Sequence, residues 1–154
     1  MDNLKAADMT SSDLSGANLR DSELTQANLC MANLSGSDLS GANLRWADLI
    51  RAKLAWADLS HANLTNGSLV HANFTQAKVI KVEWVSADLT GATLTGAILY
   101  ATSRFGLKIK GIRCEWIDLS PTGNHKIIQN FHGDELREFF NTTAPTIRII
   151  VDLP

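Results

Sequence analysis

Ala42-Asn43-Leu44-Arg45-Trp46-Ala47-Asp48-Leu49-Ile50-Arg51-Ala52-Lys53-Leu54-Ala55-Trp56-Ala57-Asp58-Leu59 decides the fold. Leucine returns at every fifth position, alanine stands two places before each leucine, and a polar residue separates them. The same spacing extends outward in both directions, from Leu4 to Leu99. It fills twenty consecutive slots, sixteen with Leu and the others with Met9, Phe74, Val79 and Trp84. The partner two places earlier is Ala fourteen times, with Ser12, Ser22, Ser37 and Gly67 also small; Asp2 and Val82 are the exceptions. Such repetition takes precedence over any residue-by-residue reading.

A period of five fits neither regular element. On an α-helix, five residues advance about 500°, so successive leucines would sit about 140° apart and spiral around every side. On a straight strand, an odd spacing would alternate them between two faces. All the slots point inward only if the chain turns once in each five residues. The unit is then three extended residues, reading in-out-in, followed by a two-residue corner. The small residue and the Leu face inward, the Asp or Asn faces water, and successive turns stack at about 4.8 Å. The predicted object is an all-β solenoid.

The tandem A-(D/N)-L-x-x pattern resembles the pentapeptide-repeat proteins, over at least residues 2–101. That resemblance implies a right-handed quadrilateral β-helix with four pentapeptides, hence twenty residues, per coil. Glycines spaced by twenty, Gly16 with Gly36 and Gly91 with Gly111, agree with it. Residues 2–101 are expected to form regular coils. Coil one, Asp2 to Asp21, is polar enough to cap itself; the other reading of this end is as a docking site for a second copy or another protein. Trp84, two residues after Val82, is too bulky for a standard coil and predicts local widening. The five-residue frame continues through Leu107-Lys108-Ile109, Ile112-Arg113-Cys114 and Ile117-Asp118-Leu119. Residues 102–121 are therefore expected to form a degenerate last coil, distorted at Arg104.

Pro121-Thr122-Gly123-Asn124 reads as the turn ending the solenoid. Residues 122–154 are expected to form a small C-terminal cap. Within it, Gly133 to Phe140 predicts a short α-helix with Asp134 as N-cap and an apolar face of Leu136, Phe139 and Phe140. Thr146 to Val151 predicts a final strand. The segment from Arg113-Cys114-Glu115-Trp116 onward also resembles the cap of some cyanobacterial-type pentapeptide proteins.

Composition narrows the function. A net charge of −2 gives no strong pull toward nucleic acid or anionic membrane. No apolar run approaches the ~18 residues of a membrane helix, and Met1 to Lys5 lacks the features of a secretory leader, so a cytoplasmic protein is expected. Cys30 and Cys114 are four coils apart, about 19 Å, too far for a disulfide; Cys30 is expected at the surface and Cys114 inside. His61 and His71 fall on opposite sides of a four-sided coil, and His125 and His132 have no nearby Cys, so no metal site is expected. Asp8, Asp13, Asp38, Asp48, Asp58 and Asp88 are placed by the repeat itself. No nucleophile, zincin or phosphate-loop motif is present, and a filled tube provides no cleft. No catalytic residue and no cofactor is expected.

Flat faces still bind partners. With corners assigned in order, Cys30, Ile50 and Val70 lie one above another, with Met31 and Trp46 at the margins; these five are the candidate partner-binding residues. The leading expectation is a non-enzymatic protein-interaction or scaffold module that binds a protein, with a homo-oligomer through a coil end as a further option. The alternative follows from the resemblance: some pentapeptide-repeat proteins mimic duplex DNA and inhibit or protect DNA gyrase. Residues 1–120, with twelve Asp/Glu against eleven Lys/Arg, do not form a polyanion, and no loop interrupts the pentapeptides.

Overall fold

The computed structural model describes residues 3–141, and its architecture follows from one local device repeated. The N–H of each small residue donates to the carbonyl of the preceding slot, as in Ala27 to Leu24 (3.0 Å) and Ala47 to Leu44 (3.1 Å). The residue just before each small one has positive φ, as at Gly41 (69°), Trp46 (55°) and Trp56 (63°). A three-residue hydrogen bond with positive φ at the third position marks a type II turn. Asp or Asn recurs between the inward residues because its side chain caps the next turn. Asp48 Oδ1 accepts the Ile50 N–H at 2.9 Å, Asp58 Oδ1 the Ser60 N–H at 3.0 Å and Asn63 Oδ1 the Thr65 N–H at 3.0 Å.

Four such turns make one coil. Isolated parallel bridges pair each outward residue with the one twenty places on, from Asn3 with Glu23 to Ile98 with Asp118. The chain is a right-handed quadrilateral β-helix. Each side of a coil is tied to the next by several main-chain bonds: Leu29 N–H to Asp48 (2.7 Å), Met31 N–H to Ile50 (2.8 Å) and Asp48 N–H back to Ala27 (2.9 Å). Leu24 through Leu69 and their alanine partners fill the interior with essentially no solvent exposure. Each buried Leu is worth roughly 1.5–3 kcal/mol, and every coil adds its share of this apolar column to the main-chain bonds of its turns and rungs.

The ladder breaks once. Glu83 has no bridge to Ser103. Trp84 occupies the inward slot there, fully buried and edge-on to Phe74 (centroids 6.5 Å apart), and its indole Nε1–H donates to the Ser103 carbonyl. That carbonyl is the acceptor a slot N–H takes in the regular coils. The bulk expected to widen the coil therefore displaces one rung. Bridging resumes at Asp88 with Lys108.

The far end is covered by the chain itself. Strand β1 (Trp116–Asp118) lies on the last rung, and β2 (Ile128–Asn130) pairs antiparallel to it, Ile117 opposite Gln129. The turn between them closes over Ile98 and Asp118, both buried. Asp118 accepts the Ser120 N–H (2.8 Å), the Ser120 hydroxyl and the His125 N–H (3.0 Å). Helix α1 (Glu135–Asn141) follows. The Asp134 carbonyl accepts the Glu138 N–H (3.1 Å), as an N-cap residue does, while the Glu135 carboxylate accepts the His132 N–H (2.8 Å). Phe140 is buried, and Phe131, Phe139 and Phe140 stack edge to face at 5.2–5.3 Å. Arg104 stands in an inward slot but leaves the tube. Its guanidinium lies 4.1 Å from the Phe139 ring centroid and donates to the Phe139 carbonyl (2.8 Å). The strand predicted over Thr146 to Val151 lies outside the described residues.

Candidate interaction surface

The outward columns have a structural task. Asp38 Oδ1 takes both the N–H (2.9 Å) and hydroxyl (2.6 Å) of Ser40, and these bonds hold its carboxyl below the usual aspartate range. Burial raises Asp58, but the Ser60 bonds and the Lys78 ammonium at 3.3 Å outweigh it and leave its pKa low. Asp88 behaves likewise, with Thr90 and with Lys108 at 3.6 Å. Coils also bond through these columns: Asn33 donates to Asp13 (3.1 Å) and Asn43 to Glu23 (2.9 Å). The repeat carboxylates are turn caps and rungs.

The other titratable groups are dispersed. His61 and His71 stand on opposite corners of the prism. His125 Nδ1 lies 3.3 Å from Asp118, and His132 Nδ1 lies 3.7 Å from Glu135. Among the described residues no three His, Cys, Asp or Glu gather as metal ligands. Cys30 and Cys114 are both free thiols. Cys114 faces inward, donates to the Trp116 carbonyl (3.4 Å), and burial pushes its thiol up to about 12. Sequence reasoning missed a cleft of about 580 Å³ between the last coil and α1, lined by Ile109, Ile112 and Leu136 with Lys110, Asp134 and Arg137 at its edges. It forms only because the cap folds back on the coil, a contact no pattern in the repeat announces.

Cys30, Ile50 and Val70 occupy equivalent corner positions on three consecutive coils. Met31 N–H bonds Ile50 (2.8 Å), and Arg51 N–H bonds Val70 (2.9 Å). All three are half-buried. Cys30, expected at the surface, is only partly open. Met31, 47% exposed, stands beside this column. Trp46, 50% exposed, stands on the preceding corner, across the face that carries Asp48. The Arg45 guanidinium covers its ring at 4.6 Å. Trp56 and Phe105 are more exposed, at 69% and 67%; Trp56 belongs to another corner, and Phe105 falls on the corner of Arg45 and Trp46 three coils on. Exposed apolar groups on the prism are thus spread over several corners, with one continuous column.

The family model for pentapeptide repeats matches residues 3–30, 31–66 and 68–103, in eight copies. Nothing matches among curated proteins. Among solved structures, a pentapeptide repeat protein from the Arabidopsis thaliana thylakoid lumen is 23% identical, covering 90% of this chain and 83% of that one, with a TM-score of 0.48. Rfr23 from the cyanobacterium Cyanothece 51142 is 27% identical over 77% of this chain and 88% of its own (TM-score 0.41). QnrB1, a plasmid-mediated fluoroquinolone resistance protein, is 15% identical over 72% of this chain and 67% of its own (TM-score 0.49).

Proposed function

The chain belongs to the pentapeptide-repeat family, and from that premise we propose that it is a non-enzymatic interaction or scaffold module. Its working surface is the column Cys30, Ile50 and Val70 with Met31 and Trp46 beside it. The observation that carries this reading is the division of labour among the side chains. Inward residues fill the tube, outward polar residues cap turns and pair between coils, and the corner apolar groups have no part in either. Half-buried aliphatic groups flanked by an exposed Met and an arginine-backed Trp match the composition of protein-binding centres. Rigidity supports it too, since a prism bonded at every rung but the one beside Trp84 loses little freedom on docking.

Gyrase mimicry ranks second. A DNA mimic presents an unbroken acidic surface, whereas here Lys78 sits against Asp58 and Lys108 against Asp88 on the outward columns. A cytoplasmic setting is part of the proposal, resting on two unpaired thiols. No described helix is long and apolar enough to cross a membrane.

The test is affinity capture with the wild-type chain and with Ile50→Asp and Val70→Asp. A binder retained by wild type and lost from both folded variants supports the surface. A binder retained by both moves the site elsewhere. Turnover in an unbiased metabolite screen, or inhibition in a gyrase supercoiling assay, would replace the reading.

A further inference from the structure

The two ends of the solenoid differ. The far end is covered by β2 and α1, whereas among the described residues nothing packs on coil one. In coil two, an outward residue uses both main-chain groups toward coil one: Asn28 donates to Ala7 (2.9 Å) and accepts from Met9 (2.8 Å). The equivalent residues of coil one are Asn3, Asp8, Asp13 and Asn18, one on each side of the square. Their N–H and C=O groups point the same way and have no partner among the described residues. Inside this ring Leu4, Met9 and Leu14 are only half-buried. An open rung around an exposed apolar centre is a template for another edge.

The geometry points to a second copy of this chain as the occupant, docked first coil to first coil about a two-fold axis through the corner at Lys5-Ala6. A perpendicular two-fold makes the facing strands antiparallel, so each pair of opposed outward residues exchanges two main-chain hydrogen bonds. A square end allows four such axes, and the side chains distinguish them. The axis through the Lys5-Ala6 corner sets Asn3 opposite the partner's Asp8, and Asp13 opposite the partner's Asn18. The other diagonal sets Asp8 against Asp13. The two axes through mid-faces set Asp8 against itself or Asp13 against itself. Of the four, only the first opposes both outward carboxylates, Asp8 and Asp13, with an amide. The fold already uses that pairing between coils, in Asn33 to Asp13 (3.1 Å) and Asn43 to Glu23 (2.9 Å).

The spare valences fit as well. Asn3 and Asn18 spend their Oδ1 on the N–H groups of Lys5 and Arg20, both at 3.2 Å, which leaves their Nδ2 groups as donors. Asp8 and Asp13 spend Oδ1 on Thr10 and Ser15, both at 3.1 Å, leaving Oδ2 as acceptor. Lys5, on the axial corner, is exposed, and its charge is offset by Glu23. The end is small, on the order of 400 Å² per copy from three extended residues a side plus their side chains. That falls below the ~800 Å² per partner of a standard interface, so the dimer is weak and concentration-dependent, with a midpoint in the micromolar range. The inference uses none of the residues of the partner-binding column.

Sedimentation equilibrium on the full chain over a concentration series tests it. Wild type is expected to pass from monomer to dimer and no further. The Asn3→Asp, Asn18→Asp double variant keeps its turn caps and its circular dichroism, and should dimerise at least tenfold more weakly. Mixing it with an Asp8→Asn, Asp13→Asn chain sets Asp opposite Asn at every position and should restore a mixed dimer. Four outcomes overturn the proposal: a monomer at every concentration, assembly beyond the dimer, a dimer unchanged in the Asn3→Asp, Asn18→Asp variant, or loss with no mixed-dimer rescue.

Discussion

Trp84 and Ser103 exchange a hydrogen bond that belongs, everywhere else in the solenoid, to two main chains: the indole N–H occupies the carbonyl that a slot N–H takes in the neighbouring coils. One side chain therefore fills the tube and substitutes for a rung. Trp84→Phe keeps much of the bulk but removes the donor, leaving the Ser103 carbonyl without its bond at a half-buried site. We expect a loss of about 1–3 kcal/mol, read as a lowered urea midpoint with an unchanged slope. A neutral substitution would mean that the indole acts by bulk alone.

The turn geometry makes an opposite pair of predictions. Gly41 has φ of +69°, and a Cβ there would lie 2.1 Å from Asp21 Oδ1. Gly41→Ala should cost about 1–2 kcal/mol from the left-handed backbone, plus whatever displacing the Asp21 carboxylate requires. Trp56 holds the same turn position at φ of 63° while mostly exposed. Trp56→Gly should stabilise the chain by up to about 1 kcal/mol despite deleting a tryptophan. Thermal melts of the two variants moving in opposite directions would establish the type II turn as the repeating unit.

The interior predicts a gradient along the axis. Leu49 is fully buried, and Leu49→Ala should cost about 2–5 kcal/mol. Leu4, half-buried in the first coil, should lose clearly less on the same substitution. Equal losses in denaturant titrations would mean that coil one is as closed as the centre.

Acid should weaken the coils in a defined window. Asp8, Asp13, Asp38, Asp58 and Asp88 are all held below the ordinary aspartate value of 3.8. A carboxylate depressed on folding adds stability that is fully present above its unfolded value and is lost as pH falls through its folded value. Stability should therefore be flat near neutrality on account of these groups and decline below about pH 4. Asp38→Asn retains the oxygen that caps the turn and should flatten part of that decline, measured by urea titrations from pH 7 to pH 2.

The two thiols should separate kinetically. With its thiol raised to about 12, Cys114 is almost wholly protonated at pH 8. Cys30, at a half-buried corner, should account for the rapid phase of iodoacetamide labelling, and mass spectrometry should find Cys114 labelled orders of magnitude more slowly. Equal rates would place Cys114 outside the tube.

The slots from Leu4 to Leu99 were legible because burial acts on every coil alike, so each slot carries the same message. The number of sides was not, since a period of five is satisfied by any polygon; Asn43 bridged to Asn63 settles it at four. The turn type was present in the sequence but unread: Gly16, Gly36, Gly41, Gly91, Gly96, Gly106 and Gly111 all fall two residues after a slot, where φ is positive. No pattern predicts the closure of His125 over Asp118, or of Arg104 onto Phe139, because each joins residues brought together only by the cap. In the candidate surface, the alignment of Cys30, Ile50 and Val70 followed from the twenty-residue coil, whereas their half-burial depended on how corner side chains stack.

The four-sided register is tested most directly by cross-linking in a chain whose own thiols are replaced by Cys30→Ser and Cys114→Ser. Asn43→Cys with Asn63→Cys places two thiols on facing rungs, about 4.8 Å apart and within disulfide reach. The pair should oxidise readily, while Asn43→Cys with Asp58→Cys, fifteen residues apart and on another face, should remain reduced. Efficient closure of the fifteen-residue pair, with the twenty-residue pair left open, would contradict the coil on which every inference above is built.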